Sequence, residues 1–318
     1  MRQTEVLTFG EAMTMFIAKN SGDLRQVSEY TKAMAGAETN VSIGLSRLDH
    51  FVKWVSKVGD DSFGTYIMKT LESEGVDISS VQIDYSNPTG FQLKSRVENG
   101  DPVVEYFRKN SAASKMSIED FQMECLTEAK HLHMTGIPLA LSKSVREFSL
   151  YVLQSMKAAG RTVSFDPNLR PSLWKSEEEM IEVINDVAFQ ADWVLPGIKE
   201  GRILTGYQDK EDIVDFYLNM GVKLVVVKLG EAGAYFATPT EREVVSGFKV
   251  DKVVDTVGAG DGFAVGVISG ITEGLAVREA VARGNAIGAL AVMSAGDSDG
   301  LPTRTQLDHF MKRGVLVK

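Results

Sequence analysis

Apolar residues follow two rhythms along the chain. Short apolar runs rich in β-branched residues occur at "VKWVSKVG" (52–59), "HLHMTGI" (131–137), "RTVSFDPN" (161–168), "ADWVLPG" (191–197) and "VKLVVVKLG" (222–230). Between them lie stretches with helical periodicity, through Glu74, from Ser142 to Ala159, and around 176–190 and 209–220. Strands alternating with helices predict a parallel sheet covered by helices. The unbroken "LVVV" suits a strand buried on both faces.

Two stretches depart from this alternation. Residues 11–34 and 87–110 read as strands joined by turns, with Asn99-Gly100 a hairpin signal. They predict a small antiparallel sheet standing off the main one as a lid. With no repeat, low-complexity tract or Pro/Ser linker, the expected organisation is one unit over 1–318 rather than two tethered domains.

Composition narrows the function classes. A chain of 318 residues, 44% hydrophobic and 24% charged, is that of an ordinary globular protein. Its one cysteine, Cys125, forms no intrachain disulfide, and "MRQTEVLTFGEAM" lacks a signal-peptide apolar region, so a cytoplasmic location is expected. No run reaches the roughly 18 apolar residues of a membrane span. A net charge of −9 disfavours nucleic-acid and anionic-lipid partners. An anionic ligand would need local arginines.

Candidate chemistry concentrates in "DTVGAGDGF" (255–263), which precedes the apolar helical run "AVGVISGI". Backbone N–H groups of Gly258, Ala259 and Gly260 can converge on an anion, with the helix N-terminus adding partial positive charge. Asp261 has two readings. It caps the helix, or it faces the anion and accepts the proton of a hydroxyl attacking a bound phosphorus. His131 and His133 alternate on a strand without a third metal ligand in view, and read as structural. "KSEEEM" (175–180) reads as a helix start capped by Ser176.

"DTVGAGDGF" resembles the C-terminal signature of the ribokinase-like, PfkB-type carbohydrate kinases, and "AGAETNVSIGLSRLDHFVKWVSKVGDDSFG" (35–64) resembles their N-terminal one. The P-loop pattern GxxxxGK[ST] is absent. The resemblance implies a three-layer α/β/α fold with a β lid, Asp261 as catalytic base and residues 258–260 as the anion hole. "SFDPNLRPSLW" (164–174) and "YFRKNSAAS" (106–114) are most similar to family members acting on 2-keto-3-deoxy sugar acids. Arg108 and Arg170 suit a carboxylate, because the guanidinium fork pairs with it in two-pronged fashion. The resemblance adds Gly36, Asn40 and Tyr106 as sugar contacts. Some relatives have a tyrosine where this chain has Gln92.

On the nucleotide side, "KLGEAGAYF" (228–236) resembles the family's turn past the ATP phosphates, giving Lys228, Gly230 and Gly233. Without the family it reads as a hairpin turn. Asn285 in "RGNAIGALAV" (283–292) falls where relatives line the adenine pocket. "GIKE" keeps the Glu200 of a magnesium-associated Asn-x-x-Glu motif and has Gly197 at the asparagine. Asp255 and the Val257 carbonyl are implied as a monovalent-cation (K⁺) site. The expected reaction is transfer from ATP, with Mg²⁺, to the primary C6 hydroxyl of 2-keto-3-deoxygluconate. Fructose, 5-keto-2-deoxygluconate, and a non-catalytic sugar-binding regulator remain alternatives. Exposed lid edges predict a homo-oligomer.

Overall fold

The computed structural model describes residues 4–97, 102–120 and 129–317. The strands run in chain order as β1 (Val6–Phe9), β2 (Met13–Ser21), β3 (Tyr30–Ala35), β4 (Val52–Gly59), β5 (Val81–Asp84), β6 (Phe91–Arg96) and β7 (Val104–Phe107). They continue as β8 (His131–Thr135), β9 (Thr162–Asp166), β10 (Trp193–Val194), β11 (Leu224–Lys228), β12 (Ala234–Ala237) and β13 (Arg242–Val245). The main sheet has the order β13-β12-β11-β10-β9-β8-β1-β4-β5. All its pairs from β11 through to β5 are parallel, and β12 and β13 add antiparallel at one edge.

Both faces of this sheet are covered, which explains the unbroken apolar strands. On β11, Leu224 and Val226 pack into one core with Trp54, Val265 and Ile287. Val225 and Val227 point the other way, into a core with Phe9, Phe148, Phe165 and Tyr217. An apolar side chain on either face therefore gains burial worth roughly 1.5–3 kcal/mol, and the polar ones that do point inward, such as His131 and His133, are hydrogen-bonded within the core.

The helices expected at 142–159, 176–190 and 209–220 are Lys143–Ala158, Glu177–Ala188 and Lys210–Asn219. Ser176 caps its helix by accepting from the Glu179 amide, with three glutamates in the first turn. The lid has the order β3-β2-β6-β7 and uses the stretches expected to form it. Its outer pairs are antiparallel, but β2 and β6 run parallel, so the lid is two hairpins side by side rather than one meander. The reason is topological: β2 follows the carboxyl end of β1 and β6 that of β5, two parallel strands, so both leave the main sheet in the same direction. Asn99-Gly100 and Cys125 lie outside the described residues.

Strand ends position the site. Glu11 follows β1, Thr135 and Asp166 end β8 and β9, and Lys228 ends β11. In a parallel sheet these all fall on the carboxyl edge, where ligands of α/β proteins bind.

Candidate active site

Between that edge and the lid lies a cavity of about 360 Å³. Gly36, Asn40, Tyr106, Arg108, Arg170, Glu200, Lys228, Gly258, Gly260 and Asp261 line it, so most of the residues singled out in the sequence meet there. Tyr106 and Arg108 come from β7 and the residue just after it, over the cavity mouth.

Asp261 sits in the first turn of the helix Ala259–Thr272 but does not cap it; the N-cap is Gly258, without a side-chain bond. Its carboxylate instead faces the cavity. Asn40 Nδ2 donates to Oδ2 at 2.8 Å and Asn168 Nδ2 to Oδ1 at 3.3 Å. Burial pushes its pKa up from 3.8 to about 7, against the Asn40 bond and Lys228, while the nearby Asp166 and Asp297 carboxylates push it further up. A carboxylate near 7 is a competent base at neutral pH. Gly258 has φ +81°, and a Cβ there would lie 2.2 Å from the Asp297 carbonyl oxygen. Glycine is required at this position, and the tight turn brings the helix N-terminus, whose first N–H groups have no helical acceptors, to the cavity wall at Gly258 and Gly260.

The two arginines differ. Arg108 donates from Nε to Glu11 Oε2 at 2.7 Å, and its Nη2 lies 2.6 Å from the same oxygen. Glu11 is fully enclosed and also accepts from the Ser111 hydroxyl. Arg170 donates to the Leu169 carbonyl at 2.9 Å, and among the described residues no carboxylate pairs with it. Arg170 therefore presents the less neutralised positive charge to a ligand. Gln92 lines the cavity, with its amide 3.1 Å from Met15 Sδ. Behind Glu11, the buried Glu38 has its pKa pushed up to about 7 by desolvation, against a bond from Thr135.

Lys228 Nζ donates to Asp166 Oδ2 at 2.6 Å and lies beside the anion loop, 3.6 Å from where a Cβ on Gly260 would be. Burial works against its charge, yet Asp166, Glu200 and Asp261 outweigh this and raise its pKa. Glu200 accepts from the Gly197 amide at 2.7 Å and the Leu169 amide at 2.8 Å, pinning the Arg170 loop to the helix Ile198–Thr205.

Gly230, Gly233 and Asn285 lie away from this cavity. Gly233 passes so close to Val245 that a Cβ would sit 2.1 Å from its carbonyl oxygen. Asn285 donates to the Val245 and Ser246 carbonyls at 2.9 and 3.1 Å. Gly233 thus seats the β11–β12 turn against the 245–247 backbone, and Asn285 ties the helix Val277–Ala291 to the same segment. Asp255 lies under the anion loop, its Oδ1 accepting from the Val257 amide at 3.1 Å and its Oδ2 from the Lys94 ammonium at 2.6 Å. His131 and His133 both bond Ser164 Oγ, at 2.8 and 2.9 Å, and burial holds each near 3. They are neutral core histidines.

Sequence reasoning missed Glu11, Lys94, Asp166 and Asn168 as site residues. Asn168, at φ +41°, was legible as an unusual turn residue after Pro167. Lys94 carried no signal, being one lysine in an otherwise ordinary strand.

Fold and site together define a phosphotransferase with an alcohol acceptor. A family model described as pfkB family carbohydrate kinase matches residues 3–304, and the chain belongs to that family. It is 53% identical over 308 residues to 2-dehydro-3-deoxygluconokinase from Bacillus subtilis (strain 168), covering 96% of this chain and 95% of the relative. A candidate ribokinase II from E. coli in complex with ATP and Mg²⁺ superposes with a TM-score of 0.91 at 28% identity, covering 98% of this chain and 99% of that one. A fructokinase double mutant from Vibrio cholerae O395, bound to fructose, ADP and potassium ion, superposes at 0.85 with 30% identity and the same coverage.

Proposed function

We propose that the protein is an ATP-dependent 2-dehydro-3-deoxygluconokinase, transferring the γ-phosphoryl group to the C6 hydroxyl of 2-keto-3-deoxygluconate. The carrying observation is the cavity that holds an uncapped Asp261 at the anion loop together with Arg108 and Arg170. The 53% identical relative bears the same activity in its name.

In this reading Asp261 accepts the C6 hydroxyl proton as that oxygen attacks phosphorus. Asn40 and Asn168 fix the carboxylate orientation. The N–H groups at 258–260 and the Lys228 ammonium meet the charge on the transferring group. Arg170, with Arg108, takes the sugar carboxylate, and Gly36 and Tyr106 close around the sugar. The lid excludes water, so that the sugar hydroxyl and not water is the acceptor.

Mg²⁺ would neutralise phosphate oxygens. Glu200 is the carboxylate at the Lys228 end of the cavity that would hold it, directly or through water, since Mg²⁺ keeps most of its waters and takes few protein ligands; Asp166 is already paired with the Lys228 ammonium. K⁺ does not fit as expected, because the Asp255 carboxylate already holds the Lys94 ammonium. Residues 1–318 act as one kinase unit with its lid from 11–34 and 87–110. The outer lid strands β3 and β7 support pairing with a second copy, with Tyr106 and Phe107 each more than two-fifths exposed. Among the described residues no helix is long and apolar enough to cross a membrane.

The test is ADP release with 2-keto-3-deoxygluconate, fructose, ribose and 5-keto-2-deoxygluconate at equal concentration. A dominant rate with the first is expected. A dominant rate with fructose would remove the arginine–carboxylate pairing, and silence across the panel would leave a sugar-binding protein.

A further inference from the structure

Lys94 is a lid residue, paired in β6 with Ile17 of β2 and Val104 of β7, yet its side chain leaves the lid and ends beneath the anion loop. Its Nζ lies 2.6 Å from Asp255 Oδ2 and 3.2 Å from Asp297 Oδ1, with its side chain only 3% exposed. Both aspartates adjoin the loop, Asp255 through its carboxylate and Asp297 through its backbone. Asp255 accepts from the Val257 amide, and the Asp297 carbonyl oxygen is the atom against which Gly258 packs. Asp255 and Asp297 are themselves nearly enclosed, at 10% and 5% side-chain exposure. Two carboxylates crowded in a low-dielectric space repel each other and would push the loop open unless a cation lies between them.

We propose that Lys94 is the resident cation of the anion loop, a positioning residue that makes phosphoryl transfer independent of an added monovalent ion. The ammonium neutralises Asp255 and Asp297 and so holds the 255–260 turn in the shape that aims its N–H groups at the phosphoryl group. Because the charge is carried on β6, the loop reaches that shape only with the lid in place. Loop order and sugar enclosure are thereby one event. The inference rests on the kinase reading above for its rate arm alone.

The experiment compares wild type, Lys94→Ala and Lys94→Met in chloride salts of K⁺, Na⁺ and tetramethylammonium at constant ionic strength. ADP release with 2-keto-3-deoxygluconate and the melting temperature are both read. Wild-type rates should agree within about twofold across the salts, as expected when the cation is covalently tethered. Lys94→Ala should lose at least about tenfold in tetramethylammonium and regain much of it in K⁺, which enters the vacated space. Lys94→Met fills that space with apolar atoms and should not be rescued. Melting gives the same contrast without turnover: K⁺ should raise the melting temperature of Lys94→Ala and leave wild type unmoved. Strong K⁺ activation of wild type would overturn the proposal, as would a Lys94→Ala protein equally active and stable in every salt. Absence of turnover in all salts, with the melting contrast intact, would instead overturn the kinase reading.

Discussion

Asn40 and Asp261 stand 221 positions apart in the chain and meet through a 2.8 Å hydrogen bond from the asparagine amide to the carboxylate. One comes from the first helix, Ala37–Arg47, and the other from the anion-loop helix. The bond favours the ionised carboxylate, opposing the burial that raises its pKa. The acidic limb of kcat/KM in the free enzyme should therefore fall near pH 7, with rates dropping tenfold per unit below it. Asn40→Ala removes the opposing bond. A hydrogen bond to a charged group contributes about 1.5–3 kcal/mol, so the limb should move up by about 1–2 units. A pH–rate series on both proteins checks this, and a limb that stays near 4 in wild type would refute the assignment of Asp261 as the buried base.

Asp261→Asn should separate catalysis from binding and stability. Phosphoryl transfer should fall by about 10²- to 10⁴-fold while the sugar still binds, measured by calorimetry. Stability should change in the opposite sense. A carboxyl whose folded pKa, about 7, lies above its ordinary 3.8 binds more protons folded than unfolded between those values, so its contribution to stability is lost as pH rises through that window. At pH 8 the native protein carries this cost in full. Asp261→Asn should melt several degrees higher than wild type at pH 8 and match it near pH 4.

The sheet and its helices were legible because burial on two faces writes an unbroken apolar code, as in Leu224–Lys228, and because caps such as Ser176 mark helix starts. The anion loop was legible for a local reason too: its glycines and aspartate are consecutive. Val6–Phe9, the short interior strand β1, was not marked, since four buried residues carry no period. The partners Glu11–Arg108 and Lys94–Asp255 escaped because each joins segments that only the tertiary fold brings together. The β2–β6 parallel pairing escaped for the same reason, being set by where two distant strands leave the main sheet.

Gly258→Ala tests whether loop geometry, beyond loop composition, carries the reaction. The added methyl meets the Asp297 carbonyl at 2.2 Å and is placed on a residue at φ +81°. Strain of about 1–3 kcal/mol is expected from the backbone alone. Either the loop or the 297 backbone must move. The kcat should fall by at least about tenfold, with sugar affinity changed little, because the cavity-lining Asn40, Arg108 and Arg170 are carried by other segments. Steady-state kinetics in both substrates checks the split; a KM effect confined to the sugar would contradict it.

Arg108 and Arg170 line one cavity but should fail differently when removed. Among the described residues Arg170 has only backbone carbonyl partners, so Arg170→Ala should leave the melting temperature nearly unchanged. A charge-assisted bond to a carboxylate is worth about 1.5–3 kcal/mol, so its loss should raise KM for the sugar acid about 10- to 100-fold, with a far smaller effect on a neutral sugar. Arg108→Ala strands the Glu11 carboxylate, which among the described residues keeps Ser111 as a side-chain partner. Breaking a buried pair from one side costs about 3–5 kcal/mol, so this variant should melt well below wild type. Adding Glu11→Gln removes the stranded charge and should restore most of the melting temperature without restoring the KM. Were Glu11→Gln to restore both, Arg108 would be a structural counter-ion to Glu11, and Arg170 alone would hold the carboxylate.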